Sequence, residues 1–126
     1  MGINVAIVGL GRVGGKFLEE MMKHSARGIA IRCVCEYGET PARQIAAEAG
    51  LTVMPWQEMV ALGDAIDVIF DLTGSATVRF QMREELAKHA NTHSVVVPET
   101  VSRLVWALMS EEALPEVHGN VGYLAY

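Results

Sequence analysis

Short apolar runs that end on glycine alternate along this chain with stretches whose apolar residues recur every three or four positions. Residues 4–8 (Asn-Val-Ala-Ile-Val) are a β-branched-rich run closing on Gly9, the pattern of a strand buried on both faces. From residue 12 to about 24 the apolar positions are Val13, Phe17, Leu18, Met21 and Met22. Lys16, Glu19, Glu20 and Lys23 lie between them, which predicts an amphipathic helix. Beyond Gly28, residues 29–35 read as a second strand, ended by Glu36. Thr40-Pro41 offers a hydroxyl N-cap and a proline at the first helical position, so a helix is predicted to about Ala49, where Gly50 stops it. Residues 51–54 predict a short third strand, and Pro55-Trp56 opens a helical turn that closes near Gly63. Residues 66–70 predict a fourth strand, and Ser75 caps a helix reaching about His89. Residues 94–97 predict a fifth strand, and Thr100 caps a last helix to about Ser110.

Strands alternating with helices join through right-handed crossovers into a parallel sheet covered on both faces. The expected architecture is therefore α/β, a doubly wound (Rossmann) sheet of order 3-2-1-4-5. Residues 1–112 form that domain, and 113–126 form a tail. The tail's apolar Val121-Gly122-Tyr123-Leu124 is expected as a sixth strand or an arm toward a partner. At 126 residues and 51% hydrophobic, the chain supports one core with apolar surface to spare, and a homodimer or a partner protein is expected. A net charge of −5 without a basic run argues against nucleic acid or an acidic membrane as partner. The start has neither the basic region nor the apolar stretch of a secretory signal, and no window approaches the ~18 apolar residues of a membrane span, so a cytoplasmic location is expected. Cys33 and Cys35 fall on one face of a strand, where free thiols pack as small hydrophobes.

In a doubly wound sheet the ligand crevice lies beyond the strand C-termini, where the first and fourth strands diverge. The sequence places three chemical features there. Gly9-Leu10-Gly11-Arg12-Val13-Gly14 matches G-x-G-x-x-G between a strand and a helix, the context that motif requires. Gly9 permits the tight turn, Gly11 lets the backbone approach a diphosphate, and Gly14 allows close helix–strand packing. The helix N-terminus then presents free N–H groups and a positive dipole end.

Glu36 is the second feature, about 20 residues past the glycines, where the ribose-binding acid is expected. Its carboxylate suits ribose hydroxyls and repels a 2′-phosphate. Tyr37, Gly38 and Glu39 follow with no basic residue, so NAD is expected over NADP. Arg12 is the counterweight, a cation in the glycine turn that could meet a 2′-phosphate. The third feature is Asp71-Leu72-Thr73-Gly74-Ser75. Here Gly74 gives a ligand room, Thr73 offers a hydroxyl and an amide, and Asp71 either serves as a catalytic carboxylate or binds amides of its own turn. His24, His89, His93 and His118 show no metal-ligand spacing, and Trp56 and Trp106 read as packing.

The runs VAIVGLGRVGGKF, VCE and IDVIFDLTGS resemble the N-terminal NAD-binding domain of homoserine dehydrogenases, and are equally similar to the glucose–fructose oxidoreductase/inositol dehydrogenase family. The resemblance covers residues 3–110. It implies cofactor contacts at Gly9, Leu10, Gly11, Arg12, Val13, Gly14, Glu36, Thr73 and Gly74. Those enzymes carry a lysine after the fifth strand and continue into a substrate domain. Here the matching stretch is Val96-Val97-Pro98-Glu99-Thr100, without lysine. The expectation is thus a stand-alone NAD(H) module that senses redox state or regulates a partner. The alternative is the nucleotide-binding subunit of an oxidoreductase whose substrate domain lies on another chain.

Overall fold

A computed structural model describes residues 2–114. In chain order the elements are β1 (Ile3–Val8), α1 (Arg12–Lys23), β2 (Ile29–Cys35), α2 (Pro41–Glu48), α3 (Trp56–Val60), β3 (Val68–Asp71), α4 (Ala76–Lys88), β4 (Val95–Val97) and α5 (Glu99–Met109). Single 3₁₀ turns at Ser25–Arg27 and Gly63–Ala65 lead into β2 and toward β3. The strands form one parallel sheet of order β2-β1-β3-β4.

Alternation along β1 explains the two-sided burial. Val5 and Ile7 point to one face, where Phe17, Leu18 and Met21 of α1, Ala42 and Ala46 of α2, and Trp106 of α5 pack. Phe17 sits at the centre of that layer, 5.0 Å from the Phe70 ring and 6.4 Å from that of Trp106. Ala6 and Val8 point the other way, onto Cys33, Cys35, Ile69, Trp56, Met59, Met82 and Leu86, so α3 and α4 cover the second face. Both cysteines are free and buried there, as their spacing predicts. Fully burying such side chains contributes ~1.5–3 kcal/mol each, and this gain specifies the strand register.

Local capping follows the sequence at two helices. The Thr40 hydroxyl accepts from Arg43 N–H at 3.1 Å with Pro41 behind it, and the Ser75 hydroxyl accepts from Val78 N–H at 3.1 Å. The last helix departs from expectation, because its N-cap is Pro98 and Thr100 lies within the first turn.

Among the described residues the sheet has four strands rather than five. Residues 51–54 make one bridge, Val34 to Val53, outside β2. Val34 N–H donates to the Thr52 carbonyl at 2.9 Å, and the Val34 carbonyl accepts Met54 N–H at 3.0 Å. Leu51 N–H closes the turn out of α2 on Ala46 O and Pro55 is already the N-cap of α3, so only a short stretch between the two helices runs beside β2. The fourth predicted strand starts two residues late, at Val68, because the Ile66 N–H closes the preceding 3₁₀ turn on Gly63 O and the Ser94 hydroxyl takes the Ile66 carbonyl at 2.6 Å. The sixth strand or arm expected from the tail falls on residues outside those described.

Candidate functional site

At the carboxyl edge of the sheet β1 runs into the glycine turn. Gly9 has φ +95°, the left-handed region that favours glycine, and a Cβ there would stand 2.9 Å from the Leu72 backbone. Its N–H donates to the Cys35 carbonyl at 2.8 Å, tying the turn to the end of β2. A Cβ on Gly14 would lie 1.8 Å from the Gly9 carbonyl oxygen, so this glycine sets how closely α1 approaches β1. Gly11 is the opposite case. It is the N-cap of α1, makes no side-chain cap, and a Cβ on it would meet nothing within 4 Å. The first N–H groups of a helix lack intrahelical partners, and here they open onto space.

That space is a cavity of about 540 Å³ lined by Gly9, Gly11, Arg12, Val13, Glu36 and Thr73 among the residues expected at the site. Gly74 and Gly14 stand back from the lining, the first a φ +71° turn position and the second a packing position. Leu10 is buried, its side chain in the core and its amide held by Glu36.

Glu36 is braced as well as placed. One carboxylate oxygen accepts Leu10 N–H at 2.6 Å and the other accepts Gly38 N–H at 2.8 Å, so a single side chain clips the glycine turn to the loop after β2. Charge-assisted bonds of this kind contribute ~1.5–3 kcal/mol. Two bonds leave part of the carboxylate's accepting capacity open toward the cavity that it lines.

The turn after β3 is more committed than expected. Asp71 is fully buried and accepts both the N–H of Thr73 at 3.0 Å and its hydroxyl at 2.6 Å. Thr73 Oγ1 in turn accepts Ser75 N–H at 3.0 Å. Both groups that Thr73 was expected to offer a ligand are therefore spent within the turn. Arg79 of α4 completes the arrangement, reaching Asp71 at 3.4 Å and Glu99 of α5 at 2.7 Å. Asp71 thus acts as the anchor of its turn, the second of its two expected roles.

Sequence reading alone missed several walls of the cavity. Tyr37, Trp56, Leu72 and Val78 line it, and Tyr37 reaches across to hydrogen-bond Gln57. Tyr37 had a signal in its position directly after Glu36. Trp56 was read as packing, which it also does. Cys35 lines the cavity too, and its hydrogen bond to Cys33, followed by burial, pushes its thiol pKa well up. The wall there is a neutral thiol. Among the described residues no group of three or more His, Cys, Asp or Glu is placed to hold a metal, and no helix is long and apolar enough to cross a membrane.

A strand–glycine turn–helix unit over a parallel sheet, with an acid at the tip of the next strand, defines a dinucleotide-binding domain of Rossmann type. The family described as "Homoserine dehydrogenase, NAD binding domain" matches residues 9–107, and this chain belongs to it. The homoserine dehydrogenase of Neisseria gonorrhoeae is 34% identical over 83 residues, covering 60% of this chain and 19% of that protein. Crystal structures of Staphylococcus aureus homoserine dehydrogenase share the fold. At pH 7.0 the TM-score is 0.58 with 16% identity over 86% of this chain and 30% of that one. At pH 6.5 it is 0.56 with 15% identity over 87% and 30%. The chain thus spans a minor part of the relatives it matches.

Proposed function

We propose that this chain binds NAD(H) in the cavity beneath the glycine turn and works as a nucleotide-holding module. In this reading Gly9, Leu10, Gly11, Arg12, Val13 and Gly14 form the diphosphate cradle, and Glu36 receives the adenosine ribose. Thr73 and Gly74 shape the far wall, with no donated hydrogen bond from Thr73. The observation that carries the proposal is the void at Gly11. Bare backbone and the uncapped start of α1 face a cavity there, and a diphosphate needs that close approach and those N–H groups. Bound nicotinamide would supply a hydride donor or acceptor, while this chain's residues bind and orient it.

NAD is favoured over NADP for two reasons. Glu36 presents negative charge where a 2′-phosphate would sit. Arg43, the cation of the following helix, is turned onto the Tyr37 and Gly38 carbonyls at 3.4 and 3.3 Å and onto Glu39 at 3.4 Å. Arg12 remains exposed at the rim of the cavity. Titration calorimetry with NADH and NADPH tests both points. Tighter NADH binding is expected, equal affinities would remove the preference, and binding of neither would remove the function.

A redox-sensing or regulatory role follows if the module acts without a substrate domain. The second reading, a nucleotide-binding part of a homoserine dehydrogenase-like enzyme whose substrate domain lies on another chain, is favoured by the family to which the chain belongs. Hydride transfer to or from NAD(H) with homoserine and with simple carbonyl compounds separates the two.

A further inference from the structure

Past Glu36 the wall of the nucleotide cavity changes character. Cys35, Tyr37, Trp56 and Val78 make it, two aromatic rings beside a thiol and an aliphatic side chain. Most polar side-chain groups around the cavity are already engaged. The Tyr37 hydroxyl donates to Gln57, Glu36 accepts from Leu10 and Gly38, and the Thr73 hydroxyl donates to Asp71.

The Trp56 indole N–H is different. Trp56 is only 6% exposed and packs with Ala6, Val8 and Cys35 on the second face of the sheet. Its N–H has no hydrogen-bond partner among the described residues. The other tryptophan, Trp106, shows the usual arrangement for a buried indole, its N–H donating to the Glu112 carbonyl. Nor is the Trp56 N–H sealed in the core, because among the described residues the buried side-chain nitrogen or oxygen without a partner is Ser102 Oγ. An unsealed donor on so buried a ring opens where that ring meets free space, and the space that Trp56 lines is the nucleotide cavity.

We propose that Trp56 and Tyr37 hold the purine base of the bound nucleotide, with the Trp56 N–H donating to a ring nitrogen of that base. The inference rests on the nucleotide reading above and names the end of the ligand that lies here. The backbone N–H groups at Gly11 serve the diphosphate and Glu36 the adjoining ribose, so the next group along the ligand is the base. Aromatic walls suit a flat ring. An indole N–H only donates, so its partner must accept. Purine ring nitrogens outside the glycosidic bond accept, whereas the nicotinamide ring nitrogen is spent on its bond to ribose. Tyr37, tied to Gln57 next to Trp56 in the chain, covers the base from the loop after β2.

The chain has two tryptophans, so a proton–nitrogen correlation spectrum of the labelled full chain shows two indole signals, which Trp106→Phe identifies. Titration with ADP-ribose, which lacks nicotinamide, should move the Trp56 signal downfield and leave that of Trp106 in place. In calorimetry, Trp56→Phe should weaken ADP-ribose and NADH alike by about 3- to 10-fold, the loss of one net hydrogen bond. The spectrum uses the unaltered side chain, so it decides even where Trp56→Phe fails to fold. A Trp56 signal that does not move downfield at saturating ADP-ribose would overturn the proposal. So would a loss confined to NADH, which would set Trp56 against the nicotinamide instead. Either result leaves the nucleotide reading standing, while binding of neither ligand would remove both.

Discussion

Adding one methyl group at Gly14 should damage this protein more than adding a whole isopropyl group at Gly11. The Gly14 Cβ would sit 1.8 Å from the Gly9 carbonyl oxygen and 2.8 Å from its carbonyl carbon. Both are backbone atoms, which cannot swing aside as the end of a side chain would, and Gly9 is tied to the end of β2 through its N–H bond to the Cys35 carbonyl. Relief requires α1 to retreat by about 1 Å or more, loosening Phe17, Leu18 and Met21 from the sheet in a core without slack. Overpacking costs ~1–3 kcal/mol where side chains can adjust, so about 3 kcal/mol or more is expected where only backbone can. For a domain of this size that lowers the melting temperature by roughly 10 °C. Gly11→Val meets nothing within 4 Å, and its main cost is a poorer N-cap, ~1 kcal/mol. Yet its side chain would stand where the diphosphate approaches, so NADH binding should be lost from a folded protein. Thermal unfolding by circular dichroism and NADH titration read the two effects separately. A Gly14→Ala variant melting within about 2 °C of the parent would refute the packing argument, and normal NADH binding by Gly11→Val would refute the cradle.

Three further outcomes are expected. Glu36→Ala removes the acceptor of Leu10 and Gly38 and the ribose contact together, so NADH affinity should fall about 10- to 100-fold; calorimetry showing NADPH reduced equally would deny Glu36 a role in selecting the cofactor. Arg79→Met leaves buried Asp71 without its cation, and a loss of about 2–4 kcal/mol is expected in urea unfolding, the Thr73 bonds softening it. The His93 and Asn4 bonds hold the Asp67 carboxyl below its ordinary 3.8, so its contribution is full above that value and disappears as pH falls through the lowered one. Asp67→Asn should therefore be less stable than the parent near neutrality, and the gap should close in acid. A gap that persists unchanged in strong acid would contradict the role of the Asp67 carboxylate in these bonds.

Much of this protein was legible in the chain because local chemistry decided it. The glycine fingerprint, the acid at the end of β2, the Thr40 and Ser75 caps and the two-faced burial of β1 each depend on neighbours within a few residues or on a simple alternation. Their physical requirements, a left-handed φ, a hydroxyl acceptor or apolar side chains on both faces, limit which residues can stand there. Tertiary structure decided what depended on competition between distant groups. The segment at residues 51–54 has strand-like residues, but the turn out of α2 before it and the start of α3 at Pro55 after it leave length for a single bridge. Thr73 carries ligand-binding groups, but buried Asp71 consumed them, because a carboxylate excluded from water takes every donor within reach. The link from Arg79 to Glu99 and the walls given by Tyr37 and Trp56 exist only where separate elements meet. No periodicity along a chain records which helix will lie beside which.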